Sequence, residues 1–327
     1  LVDALPNGPG NYATVQVFLA GGAPEVMLHL RQAGLLDTSA KTVTGETLNT
    51  TLDWWQDSQR RQTLRKNLLD QDGIDPDNVI MSPDRARTRG LTSTVCFPTG
   101  NLAPEGSVIK STSIDPTLID ADQKYHHLGP AKVFTTEASA IHAIKTGQIV
   151  ENDVMVLTCC GPIGAGMQEI YQITAALKAL PFGKHVAVLT DARFSGVSTG
   201  ACIGHISPEA LAGGAIGKLQ DGDQIEITID RKTLTGAVDF VGTSNGTMSP
   251  EVAAQLLAER GSRPDLAPHP DLPDDTRLWA ALVHASGGIW GGCVYDVDAI
   301  TALLDKNLAT ESNEHPTTST QKKGPKS

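Results

Sequence analysis

The run LTDARFSGVSTGACIGHISPEALAGGAIG, Leu189–Gly217, constrains the fold more than any other segment. The apolar stretch Val186, Val188 and Leu189 must be buried as a strand, and it ends in Asp191, Arg193 and Ser195 before glycine-rich turns begin. A buried strand that delivers an acid, a base and a hydroxyl into a Gly-flanked turn sets polar groups at the edge of a cleft, as catalytic loops on rigid scaffolds do. The same residues also satisfy a plain strand, turn and capped helix, and pattern alone leaves both readings open.

With 40% hydrophobic and 19% charged residues, the 327-residue chain has the composition of a water-soluble globular protein long enough for two domains. Aromatics are only 4%, so the core must rest on Ala, Val, Leu and Ile, which suits a sheet covered by helices. A net charge of -11 opposes nucleic acid and anionic membrane surfaces as partners. The sequence carries no membrane-span pattern and no signal-peptide pattern, and the location expected from this is cytoplasmic. Cys96, Cys159, Cys160, Cys202 and Cys293 are odd in number and lack CxxC spacing, so they read as reduced thiols.

The opening segment reads as the middle of a fold, with a turn at Pro6–Gly10 and a helix from about Pro24, and the expectation is that an N-terminal part precedes it. A second helix is predicted from Leu48 to Asp70, and Asp70–Asn78 reads as a loop. From about Leu91 the texture changes to short β-like runs: Thr92–Phe97, Ser107–Ser113, Lys132–Phe134, Val154–Thr158, Val186–Thr190 and Gln224–Ile229. Helices are predicted at Thr136–Lys145, Met167–Leu180, Ser249–Arg260, Asp275–His284 and Val297–Leu308. The division expected is therefore 1–90, the end of an N-terminal α/β domain; 91–245, a mixed β-barrel domain of swivelling type flanked by helices; 246–308, a helical extension; and 309–327, a disordered tail.

The segment GPIGAGMQEIY, Gly161–Tyr171, follows a strand and opens a predicted helix, as a dinucleotide-binding turn would. Its glycines have GxxGxG and not GxGxxG spacing, and Glu169 stands where a pyrophosphate would have to sit. A carboxylate there repels an anion but suits a cation, so Glu169 reads as a metal ligand, with a structural helix-end Glu as the alternative.

GPIGAGMQEIYQITAALK, LTDARFSGVSTG, GHISPEALAGGAIG and LQDGDQIEI together resemble the dihydroxyacid dehydratase and 6-phosphogluconate dehydratase family. AGGAPEVMLHLRQAGLL, TVTGETL, NLAPEGSVIKSTSID and GPAKVFTTEASAIHAIKTGQI extend the resemblance upstream, and it covers nearly all of Leu1 to about Leu308. LPNGP, LDWWQDSQRRQ, IMSPDRARTRGLTST, PDLPDDTRLWA and GGCVYDV look most like the sugar-acid branch that dehydrates D-xylonate and related aldonates.

The resemblance implies a hydro-lyase, homo-oligomeric, that uses an iron-sulfur cluster and Mg2+. The cluster ligands would lie in a missing N-terminal domain, because none of the five cysteines here matches the family's ligand positions. It implies Ser195 as the base that removes the C2 proton and Glu169 as a Mg2+ ligand. Arg193 is a candidate for the substrate carboxylate, with a structural salt bridge to a carboxylate such as Asp191 as its alternative. His205 is a candidate for a substrate hydroxyl or else a core histidine, and Ser198 and Thr199 are candidate loop contacts. Ser207 reads as an N-cap with Glu209 in the first turn, and Lys110 as an anion contact or a surface lysine. Dihydroxyacid dehydration and a non-catalytic subunit are the rival functions.

Overall fold

The structure is a computed structural model that describes residues 1–4, 12–91 and 93–314. It divides into two compact bodies. One comprises Leu1–Val95 with Ser111–Ser113 and Arg231–Thr233, the other Cys96–Lys110, Ile114–Asp230 and Leu234 onward.

The first body is helical: α1 (Thr14–Leu19), α2 (Gly22–Gln32), α3 (Leu48–Asp57), α4 (Gln59–Asp72), α5 (Pro76–Val79) and α6 (Pro83–Thr88). Ala20, Leu68, Val79 and Ile80 form its apolar centre. The single helix expected from Leu48 is two, because Ser58 adopts an extended backbone and its hydroxyl accepts the Arg61 amide as the N-cap of α4. Buried Glu25 accepts two 2.7 Å hydrogen bonds from Arg61 and one from the Trp55 indole. Burial alone would raise this carboxyl, but Arg61 and Arg65 hold it below its ordinary value.

The second body is built on a curled, nine-stranded mixed sheet flanked by helices, so the expected α/β class holds. Its strands are β1 (Val95–Cys96), β2 (Gly106–Lys110), β3 (Lys124–Phe134), β4 (Val154–Leu157), β6 (Ala187–Thr190), β8 (Cys202–Ser207), β9 (Gln224–Asp230), β10 (Thr235–Thr243) and β11 (Gly246–Thr247), in the order β1-β2-β8-β6-β4-β3-β9-β10-β11. A separate two-stranded ribbon pairs β5 (Glu169–Ile170) with β7 (Arg193–Phe194). The central neighbours β8, β6, β4 and β3 run parallel, and the remaining pairs resolved in register are antiparallel.

Strands β4 and β6 are buried along their whole length because both faces of the sheet are covered. Val154, Val156, Ala187 and Leu189 face a core shared with Ile225, Ile227, Val238 and Phe240, and with Ala253 and Leu257 of α10 (Pro250–Glu259). Met155, Leu157 and Val188 face the opposite way, under α7 (Glu137–Lys145) and α9 (Gln172–Lys178). This is the two-residue period of a strand read twice.

Five strands escape the sequence pattern: β5, β7 and β8, which lie in the glycine-rich segments, and β10 and β11. The helix predicted at Met167–Leu180 begins only at Gln172. Gly166 and Met167 both take positive φ, after the single turn α8 (Pro162–Ala165), and turn the chain into β5. Beyond α10 come α11 (Asp274–Ala285) and α12 (Val297–Glu314), which runs past the expected start of the tail. The remainder of that tail, 315–327, lies outside the described residues, as do the whole turn expected at Pro6–Gly10 and the predicted strand start at Thr92. No described helix is long and apolar enough to cross a membrane.

Candidate active site at the carboxyl ends of the parallel strands

Parallel sheets expose their strand carboxyl ends as a crevice where loops diverge. Here the segments that leave β4 and β6 at that end re-pair as the β5–β7 ribbon, with Glu169 opposite Arg193 and Ile170 opposite Phe194. The Arg193 amide donates to Gln168 O (3.2 Å) and the Ser195 amide to Ile170 O (3.3 Å). Residues in register on parallel strands share a face, and so do residues two apart on one strand. Glu169, Arg193 and Ser195 therefore lie along one face of the ribbon. Its other face carries fully buried Ile170 and half-buried Phe194, packed against the core under α7 and α9.

The loop after Ser195 is folded back on it. The Ser198 amide donates to Ser195 O (2.9 Å), and the Ser195 hydroxyl accepts the Val197 amide at 3.4 Å. Ser198 is 2% exposed, yet its hydroxyl has no hydrogen-bond partner among the described residues. Leaving such a group unsatisfied costs about 1–3 kcal/mol, so it is a polar atom with unused capacity beside Ser195. Thr199 follows, half-buried. The Lys110 ammonium donates to the carbonyl of Gly196, so Lys110 tethers this loop and is not a plain surface lysine.

Arg193 donates its Nε to Met167 O (2.9 Å), and the alternative salt bridge to Asp191 does not form. His205 sits in a β-bulge: between the pairs Gly106–Ser207 and Val108–Gly204, Ser107 alone faces His205 and Ile206. Its φ of 55 is a left-handed conformation that costs a non-glycine residue about 1–3 kcal/mol. The bulge turns the imidazole edge-on to Phe194, with centroids 6.2 Å apart, and burial and the Arg193 charge lower its pKa. His205 is thus a neutral imidazole beside the ribbon, an available donor or acceptor. Gly204 allows this packing, since a Cβ there would lie 2.5 Å from the Phe194 ring.

Two carboxylates have roles that the sequence did not reveal. Asp191 is fully buried and accepts the amides of Cys159 (3.2 Å), Cys160 (3.0 Å) and Ala210 (3.1 Å), so it braces the loops and faces no cleft. Burial raises its pKa against those three hydrogen bonds. Glu209 does not open a helix. β8 ends at Ser207, a 3-10 turn follows at Ala210–Ala212, and the Glu209 carboxylate reaches the Ile163 amide at 3.0 and 3.1 Å. It thereby occupies the amide a pyrophosphate would have needed, and Gly161 is required because a Cβ would lie 2.4 Å from its Oε2. The dinucleotide reading fails on this contact.

Metal ions and clusters need convergent, deprotonated ligands. Among the described residues no three His, Cys, Asp or Glu side chains converge for an ion. None of the five cysteines forms a disulfide, and four of them are buried. Burial raises Cys159, Cys160, Cys202 (to about 12) and Cys293, which opposes thiolate formation. The chain's own residues therefore do not fit an iron-sulfur cluster or a complete Mg2+ site. Glu169 offers one exposed carboxylate and no more.

This sheet, with a polar ribbon at its carboxyl ends and the Gly-rich loops around it, is the C-terminal part of a dehydratase family. Residues 79–258 match the dihydroxy-acid/6-phosphogluconate dehydratase C-terminal family, and the chain belongs to it. It is similar to two proteins of Escherichia coli (strain K12): D-xylonate dehydratase YagF, 59% identical over 305 residues, and D-xylonate dehydratase YjhG, 58% over 306. Both alignments cover 93% of this chain and 47% of the relative, so the chain spans about half the length of those proteins. The dihydroxy-acid dehydratase of Halothermothrix orenii (strain H 168) is 40% identical over 226 residues, covering 69% of this chain and 36% of that protein.

Proposed function

We propose that this chain is the C-terminal portion of a sugar-acid dehydratase that converts D-xylonate or a related aldonate to a 2-keto-3-deoxy acid. The observation that carries the reading is the ribbon face, where a hydroxyl, a guanidinium and a carboxylate stand together at the strand carboxyl ends. The agreement with D-xylonate dehydratases along 93% of the chain, against 69% for the dihydroxy-acid dehydratase named above, supports the sugar acid over the branched-chain substrate.

In this reading Arg193 binds the substrate carboxylate, and Ser198, Thr199 and His205 receive hydroxyls. Ser195 takes the proton from C2. The C3 hydroxyl is lost with one proton as water, and the resulting enol tautomerises to the 2-keto acid. A serine hydroxyl becomes a base only where positive charge stabilises its alkoxide, and Arg193 lies two residues away on the same face. Glu169 would be one donor to a Mg2+ whose other ligands, like those of an iron-sulfur cluster, must come from an N-terminal domain. Residues 1–90 then read as the end of that domain.

The test is the chain joined to the N-terminal half of a D-xylonate dehydratase. The joined enzyme is expected to dehydrate D-xylonate, and Ser195→Ala to abolish turnover while D-xylonate affinity stays within about threefold, which is under 1 kcal/mol. Retained turnover in that variant would refute Ser195 as the base.

A further inference from the structure

We propose that Trp290 is a positioning residue that holds the His205 bulge, and through it sets the imidazole that the proposed function assigns to a substrate hydroxyl. Trp290 belongs to a short 3-10 turn, Ile289–Gly291, after α11, well outside the residues 79–258 that define the family match. Its indole N–H is shared between two carbonyls, Gly106 O at 3.1 Å and His205 O at 3.3 Å.

These two acceptors lie on opposite sides of the bulge. Gly106 opens β2 and His205 is one of the two residues squeezed against Ser107. A bulge disrupts the ladder at the extra residue, so its backbone groups need partners from elsewhere. The His205 amide finds Ala192 O at 2.8 Å, and the indole supplies a donor to the His205 carbonyl. The ring itself is fixed from two further sides. It lies on Gly106, where a Cβ would come within 2.8 Å of it, and it meets Phe97 edge-on at a centroid distance of 6.3 Å.

The backbone of His205 is thus held at both ends in a conformation it would not choose, and the side-chain direction follows from that conformation. With the indole donor removed, the carbonyl is free to rotate and the residue can relax toward an extended φ. Relaxation carries the imidazole away from Phe194 and from the charge of Arg193. The C-terminal extension therefore acts on the ribbon face without touching substrate, through one hydrogen bond to one carbonyl.

The test compares the wild-type chain with Trp290→Phe, which keeps an aromatic ring on Gly106 but has no N–H. In proton NMR the His205 resonances, identified by their loss in His205→Gln, are expected to lose the ring-current shift from Phe194. Their titration is expected to move up toward the ordinary histidine value. In the unaltered chain the Trp290 indole N–H is expected to exchange slowly with deuterium. Unchanged His205 shifts and titration in Trp290→Phe, or fast indole exchange in the wild type, would overturn the proposal whether or not the variant folds well.

In the joined enzyme, Trp290→Phe should raise the KM for D-xylonate about threefold to tenfold and change kcat less; an unchanged KM with a moved His205 titration would refute the link to substrate. Failure of the joined wild-type enzyme to act on D-xylonate would count against the proposed function alone, leaving the NMR measurements to decide the Trp290 contact.

Discussion

Glu209 makes the stability of the second body depend on pH in a direction that can be worked out beforehand. Its side chain is only 5% exposed, and its pKa is pushed up to about 7 from 4.5, by burial first and by repulsion from Asp191, against the hydrogen bonds from Ile163 and Gly164. A folded-state pKa above the unfolded value means that the native protein holds the proton more tightly. The resulting stabilisation is fully present below about pH 4.5 and is lost as the pH rises through about 7.

At 1.36 kcal/mol per pKa unit, this shift predicts a loss of roughly 2–3 kcal/mol between about pH 5 and about pH 8. Glu209→Gln keeps an oxygen for the Ile163 amide and cannot ionise, so its stability should lack this component. Urea unfolding at the two pH values, followed by hydrogen exchange in peptides covering Cys159–Gly166 and β8, reads this body separately from the first. Equal pH dependence in the wild type and in Glu209→Gln would refute the reasoning.

Two further substitutions probe the same scaffold. Asp191→Asn leaves at least one of the amides of Cys159, Cys160 and Ala210 facing an NH2 group, so a loss of about 1–3 kcal/mol is expected in the urea midpoint, and a neutral result would mean that these bonds do not brace the loops. Gly204→Ala sets a methyl group 2.5 Å from the Phe194 ring and 2.8 Å from Ala192 O; overpacking of this kind costs about 1–3 kcal/mol, and it should also lower turnover in the joined enzyme by shifting Arg193 and Ser195. Full activity and an unchanged midpoint would show that the ribbon moves freely.

The sheet was legible where a strand buried on both faces is an unbroken apolar run. Val154–Leu157 and Ala187–Thr190 are apolar runs bounded by turn residues, and each lies within one residue of its expected limits. Helix starts were legible at Thr136 and Ser249, whose hydroxyls accept the Ser139 and Val252 amides. β8 was hidden because Gly204 and a positive-φ His205 interrupt its alternation, and both exist to serve the bulge. β5 was hidden because Ile170, Ile173 and Leu177 keep a helical spacing although Ile170 belongs to the ribbon.

The local sequence determined that a buried parallel strand would hand Arg193 and Ser195 to a glycine-rich turn, and that Glu169 would follow a second such strand. Period and turn chemistry act over a few residues, so they are written where they act. Tertiary structure alone decided that Glu169 and Arg193 stand in register, that Asp191 and Glu209 are buried braces, that Lys110 holds the Gly196 carbonyl and that Trp290 holds His205. Those contacts join partners 19 to 86 residues apart. A hydrogen bond closed over such a span depends on where the sheet brings two segments together, and neither segment carries a mark of the other.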